Sequence, residues 1–135
     1  MFQRKVFALV LLLVAVFSFG CGEKKPKDVV KDFYYSLCQG DVDSAINDLT
    51  LRSQQALESS LRLLGKKDGL RGYLEAYSKE CEKFGGIKDI KVETQKVNDS
   101  QLEWTAVIKY GKGRTATDSG YLVKTDKGWK IDLKK

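Results

Sequence analysis

The chain has 135 residues, and its 24 basic and 18 acidic side chains give a formal net charge of +6 without any histidine. This length supports one domain with a single core. The absence of histidine removes the most common general base and metal ligand. The lysines are spread along the chain without an arginine-rich or RNA-recognition motif, so no nucleic-acid partner is expected.

The N-terminal stretch has the pattern of an export signal. A basic pair, Arg4-Lys5, precedes an unbroken apolar run over residues 6–17. Membrane-spanning helices need about 20 apolar residues, and this run is shorter. A charged head, a short apolar centre and a small-residue end are typical of a secretory signal. We therefore predict a signal peptide over residues 1–20.

The end of this signal, Gly20-Cys21, resembles a bacterial lipoprotein lipobox, in which the cysteine is lipidated and becomes the first mature residue. The resemblance implies that Cys21 anchors the protein to membrane lipid at the cell envelope. Because Gly22 rather than aspartate follows, it implies the outer membrane in a bacterium that has two. Ser18-Phe19 departs from the usual pattern and also fits ordinary signal cleavage. A soluble periplasmic or secreted protein is therefore the alternative.

Residues 21–26 suit a lipid anchor and tether, and residues 27–135 form the predicted domain. Apolar residues at spacings of three and four predict helices over about 26–38, 41–49, 52–64 and 70–84. Pro26 suits the first turn of the first helix, and Gly40 ends that helix. The third helix is expected to bury Leu64.

After Gly85-Gly86 the apolar period changes to two, which predicts four strands near residues 90–95, 102–110, 114–125 and 129–133. Short turns between them indicate an antiparallel meander. Helices followed by strands indicate an α+β fold. The helices should pack in the concave face of a curved sheet, with Trp104 and Trp129 as large core residues.

The chain contains three cysteines, and the predicted export decides which of them can form a disulfide. If Cys21 is lipidated, Cys38 and Cys81 form an even pair on the apolar faces of two helices, in a compartment where disulfides persist. A Cys38–Cys81 disulfide is therefore predicted. Two buried free thiols are the alternative.

The sequences VVKDFY at residues 29–34 and GDVDSA at 40–45 resemble the opening of small bacterial lipoproteins in the nuclear-transport-factor-2-like superfamily. GYLVK at 120–124 and GWKID at 128–132 resemble its last hairpin. The resemblance implies a cone-shaped α+β fold but no single activity. It also implies dimerisation through the open sheet face, for which Val107 and Leu122 are the outward apolar candidates.

Candidate chemistry is sparse. No zinc-spaced cysteine set or phosphate-binding glycine loop is present, so no cofactor or metal is expected. Asp118 and Glu103 are the only strand acids considered for catalysis, and Glu103 should face solvent. Five aromatic side chains are candidates for a pocket in the mouth of the cone, with core packing as the alternative: Tyr73, Tyr77, Trp104, Tyr110 and Tyr121.

Three hypotheses follow from these observations. The leading one is a lipid-anchored, non-enzymatic domain with a binding or assembly role at the cell envelope, whose partner is an envelope protein or a small ligand. The second is a carrier that holds a small molecule in the cone. The third is an isomerase-like or dehydratase-like enzyme, which would need a buried carboxylate beside a tyrosine hydroxyl.

Overall fold

The computed structural model describes residues 24–133, so the predicted signal peptide and the predicted lipidation site at Cys21 lie outside the described residues. The elements in chain order are α1 (Pro26–Cys38), α2 (Val42–Asn47), α3 (Leu51–Leu63), α4 (Gly69–Lys83), β1 (Ile87–Asn98), β2 (Gln101–Tyr110), β3 (Thr115–Thr125) and β4 (Gly128–Asp132). The α+β prediction, with helices preceding strands, is confirmed. Within residues 24–133, no helix combines the length and apolar character needed to cross a membrane.

The four strands form one antiparallel sheet in the order β1-β2-β3-β4. Its register places Ala106 of β2 between Val92 of β1 and Asp118 of β3. Directly paired residues of neighbouring strands share a face of the sheet. Asp118 therefore stands in a row with buried Val92 and Ala106, on the face that packs against the helices.

Local capping sets where the helices begin. Pro26 occupies the first turn of α1, where its missing N–H is not needed. The hydroxyl of Thr50 caps α3 by accepting from the Ser53 N–H at 3.1 Å. The predicted burial of Leu64 is wrong. That side chain is 76% exposed, because α3 ends at Leu63 and the chain turns away at Gly65, where φ is +82°.

The disulfide between Cys38 and Cys81 is present and joins α1 to α4, with the two Cα atoms 5.5 Å apart. One turn earlier on each helix, the rings of Tyr34 and Tyr77 lie 6.4 Å apart. The disulfide and the ring contact are separated by four residues on each helix, and both steps go toward the C-terminus. Helices α1 and α4 therefore run in roughly the same direction.

The structure corrects the placement of Leu122 on the outward face of the sheet. Leu122 is completely buried, because it pairs with Leu102 and Ile131 in an inward row of the core. Trp104 is buried as expected, whereas Trp129 is only partly buried and packs at the edge of the core beside Lys124.

Candidate functional site

A cavity of about 240 Å³ lies between the helices and the sheet. Its walls are mostly apolar and come from α1, α3, α4 and strands β2 to β4. The apolar lining comprises Phe33, Tyr34, Leu37, Leu49, Leu57, Leu70, Tyr73, Leu74, Tyr77, Trp104, Gly120, Ile131 and Leu133. The remaining lining residues are Asp118, Ser119 and Asp132.

Trp104 shapes one wall of the cavity. Its indole lies over Gly120 of β3, where an added Cβ would be only 3.0–3.1 Å from the ring atoms. The indole Nε1 donates a hydrogen bond to the Tyr121 carbonyl oxygen at 3.2 Å, which fixes the ring. A side chain at position 120 would therefore displace this wall.

A tyrosine and an acid meet at the mouth of the cavity. The hydroxyl of buried Tyr34 donates a hydrogen bond to Oδ2 of Asp118, and Oδ1 of Asp118 accepts from the Ser119 N–H at 2.9 Å. Burial raises the pKa of Tyr34, and the neighbouring Asp118 charge raises it further. The Tyr34 phenol therefore stays protonated and acts as a donor, while Asp118 remains exposed to solvent.

A pair of hydrogen-bonded tyrosines lies between α4 and β2. The hydroxyl oxygens of Tyr77 and Tyr110 are 2.6 Å apart, and the ring of Tyr110 packs edge-on against Phe84 with centroids 5.4 Å apart. Burial raises the pKa of Tyr77, as does its hydrogen bond to Tyr110. The two hydroxyls are hydrogen-bonded to each other, and Tyr110 lies behind Tyr77 in the wall of the cavity.

Asp132 is the buried acid of the described domain. Its Oδ1 accepts from the hydroxyls of Thr50 at 2.7 Å and Ser53 at 2.8 Å, and its Oδ2 accepts from the Arg52 guanidinium. Burial acts to raise the pKa of Asp132, but these hydrogen bonds and the Arg52 charge outweigh it and hold the pKa below its usual value. Both carboxylate oxygens of Asp132 accept hydrogen bonds from residues at the start of α3, so Asp132 holds α3 against β4.

The structure places three of the five candidate pocket residues, Tyr73, Tyr77 and Trp104, around the cavity. Tyr110 is buried and reaches the cavity wall only through the Tyr77 hydroxyl. Tyr121 is outside the lining, because it pairs with Glu103 on the opposite face of the sheet from Trp104.

Sequence reasoning missed Tyr34 and Asp132. Tyr34 fits the apolar stripe of α1, so nothing in the helical period separates it from core residues. Asp132 follows Ile131 in β4, and its donors lie some 80 positions earlier in the chain. Residues 24–133 contain no cluster of three or more His, Cys, Asp or Glu side chains that could hold a metal ion.

Solved structures with a similar fold include two bacterial proteins. A Campylobacter jejuni protein provisionally described as an NTF2-like transpeptidase is 21% identical, with a TM-score of 0.62 over 82% of this chain and 100% of that one. An NTF-2 like protein of unknown function from Shewanella oneidensis MR-1 is 18% identical, with a TM-score of 0.47 over 77% of this chain and 88% of that one. No curated protein matches the sequence significantly.

The similarity to the Campylobacter jejuni protein shows that the two chains share a fold. Its sequence identity is too low to indicate a shared activity. The expected nuclear-transport-factor-2-like resemblance is therefore confirmed at the level of fold. A family model described as a domain of unknown function, DUF4878, matches residues 19–132. The chain belongs to the DUF4878 family and has an NTF2-like fold.

Proposed function

We propose that this protein is a lipid-anchored, non-enzymatic binding domain of the bacterial cell envelope, and that its cavity holds a small, mostly apolar molecule. The observation that carries the binding role is the mostly apolar cavity of about 240 Å³ whose lining includes exposed Asp118, while the other lining acid, Asp132, is paired with Arg52. Ligand sites usually combine apolar walls with a few placed polar groups. The predicted export signal and the predicted lipidation of Cys21 support the envelope location.

The shape and charge of the cavity limit what it can hold. Its volume is below the roughly 300–1,000 Å³ of typical ligand pockets, which favours a single ring or a short chain. At the mouth, the two oxygens of Asp118 accept from the Tyr34 hydroxyl and from the Ser119 N–H, and each oxygen keeps a second lone pair that can accept from a ligand. The proposed ligand therefore carries one hydroxyl or ammonium group that approaches Asp118, and an apolar body that contacts Trp104.

The arrangement of acids favours binding over turnover. An acid–base enzyme on this fold would need a carboxylate in an apolar environment, where burial tunes it for proton transfer. Asp118 is exposed, and Asp132 is buried but is ion-paired with Arg52 and accepts from two hydroxyls, which hold it as a carboxylate. The chain also has no histidine. Catalysis by Asp118 with Tyr34 is the competing function.

The binding proposal can be tested with benzylamine, benzyl alcohol and benzoate as probes, followed by NMR shifts of the Trp104 indole. We expect the amine and the alcohol to bind and benzoate to bind at least roughly tenfold more weakly, because Asp118 repels a second carboxylate. Asp118→Asn should weaken benzylamine most. Asp126→Asn is the matched control, since Asp126 is an exposed acid in the β3–β4 turn.

Two results would contradict the binding proposal. If none of the three probes shifts the Trp104 signal at millimolar concentration, the cavity is not a site for this class of ligand. If a reaction is found whose rate collapses in Asp118→Asn but not in Asp126→Asn, the protein is an enzyme.

The anchor requires a separate measurement, the intact mass of the protein from its native membrane fraction with and without reductant. Acyl chains on residues 21–135 and a gain of two protons on reduction would support lipidation of Cys21 together with the Cys38–Cys81 disulfide. An unacylated mass from the soluble fraction would mean ordinary signal cleavage, and the membrane location would be withdrawn.

A further inference from the structure

The loop between α3 and α4 exposes two adjacent leucines. Leu63 is 86% exposed and Leu64 is 76% exposed, and Lys66 and Lys67 follow them at the surface. Isolated exposed leucines are common, but two neighbouring ones at the tip of a helical hairpin form a compact apolar projection. We call residues 63–67 the leucine loop.

Hydrogen bonds hold this loop in its projecting conformation. The Gly65 N–H donates to the Arg62 carbonyl oxygen at 3.0 Å, and the Lys66 N–H donates to the Leu61 carbonyl oxygen at 2.9 Å. The guanidinium of Arg62 also donates to the Lys67 carbonyl oxygen at 3.2 Å. The two leucines are therefore presented without any need to order the loop on binding.

The charges around the loop favour an anionic partner, because Lys66 and Lys67 outnumber the one exposed acid that follows them, Asp68. Arg62 is paired with Glu58 at 2.6 Å, whereas the structure shows no ion pair for Lys66 or Lys67 among residues 24–133. Apolar side chains flanked by lysines match a bilayer, whose surface carries phosphate groups above the acyl chains.

The leucine loop and the start of α1 both lie on the side of the domain away from the β2–β3 turn, because α4 ends beside that turn and α1 ends at the disulfide to α4. Helices α1 and α4 run in the same direction, and Pro26 and Gly69 each lie twelve residues before the disulfide-bonded cysteine of their own helix. Both helices therefore begin about 18 Å from the disulfide, toward the same side. The leucine loop leads directly into Gly69, and the proposed tether leads directly into Pro26.

We propose that the leucine loop is a second membrane contact, in which Leu63 and Leu64 enter the interface of an anionic bilayer and Lys66 and Lys67 bind its phosphate groups. The proposal builds on the proposed lipid anchor, because a tether on the side away from the β2–β3 turn would turn that side, and the loop with it, toward the bilayer. Two contacts would fix the orientation of the domain and leave the β2–β3 turn, near the other ends of α1 and α4, pointing away from the membrane.

The test uses the purified, processed protein in vesicles of phosphatidylcholine and phosphatidylglycerol with brominated acyl chains. Leu64→Trp places a fluorophore in the loop, and the wild-type emission of the native tryptophans is subtracted. Thr115→Trp is the matched control, because Thr115 is exposed beside the β2–β3 turn. We expect the added emission at position 64 to be quenched at least roughly fivefold more than at position 115.

Intact mass of the same sample separates failure of the loop proposal from failure of the anchor. If the protein is acylated and the two positions are quenched equally, the loop proposal is overturned while the anchor stands. If the protein is not acylated, flotation with vesicles decides. Binding that falls roughly a hundredfold in Leu63→Ser/Leu64→Ser would support the loop, at about tenfold per leucine, and absence of binding by the wild type would overturn it.

Discussion

Asp132→Asn tests whether the buried network between α3 and β4 holds the fold together. The Asp132 side chain is 6% exposed and accepts from the Thr50 and Ser53 hydroxyls at 2.7 and 2.8 Å. Asparagine keeps one accepting oxygen but places an amide N–H₂ donor against the donating guanidinium of Arg52. Two charge-assisted hydrogen bonds then become neutral ones, and a third is lost.

The expected loss of stability is about 2.5–3 kcal/mol, which is the lower limit of the combined effect of the three hydrogen bonds. Hydrogen bonds to charged groups contribute about 1.5–3 kcal/mol each, against about 1 kcal/mol for neutral ones. The loss stays below the about 3–5 kcal/mol of a fully buried broken ion pair, because the Arg52 side chain is 61% exposed and can be hydrated when its partner is removed.

Urea unfolding followed by tryptophan fluorescence measures this difference. Asp43→Asn is the matched control, because Asp43 pairs with Arg71 in a solvent-exposed position, where such pairs contribute little. The unfolding midpoint of the control should stay close to that of the wild type. A control that loses as much stability as Asp132→Asn would show that burial is not the deciding factor.

The effect of Asp132→Asn should also depend on pH. The pKa of Asp132 is lowered in the folded protein, so its carboxylate stabilises the fold fully above its unfolded pKa of about 3.9 and loses that contribution as pH falls through the folded pKa. The difference between wild type and variant should therefore be full at pH 7 and shrink below about pH 4. A difference that is the same at pH 3 and pH 7 would refute the electrostatic reasoning and indicate a packing defect.

Two further outcomes are expected for the core. Replacing both Cys38 and Cys81 by alanine should lower the free energy of unfolding by about 4 kcal/mol, because the disulfide spans 43 positions and mainly reduces the entropy of the unfolded chain. The urea midpoints measured with and without reductant should coincide only in this variant. Gly120→Ala should cost about 1–3 kcal/mol because the new methyl group meets an indole ring at 3.0–3.1 Å. Unchanged stability and unchanged tryptophan emission would show that this wall of the cavity yields easily.

The spacing of apolar residues in the sequence was sufficient to predict the type and order of the secondary-structure elements. A change from helical to alternating spacing at Gly85-Gly86 correctly separated four helices from four strands, because secondary-structure period is a local property. The pairing of Cys38 with Cys81 was also predictable, since both lie on apolar faces of helices. The lipid anchor at Cys21 rests on the sequence and stays a prediction.

The site depended on contacts between residues that are far apart in the chain. The Tyr34–Asp118 hydrogen bond spans 84 positions and the Arg52–Asp132 pair spans 80, so no local pattern indicates either. Leu122 was placed on the wrong face because each strand alternates, and one strand alone does not tell which side faces the helices. Only pairing with β2 and β4 decided that Leu122 points inward, and only pairing with Ala106 of β2 decided that Asp118 faces the cavity.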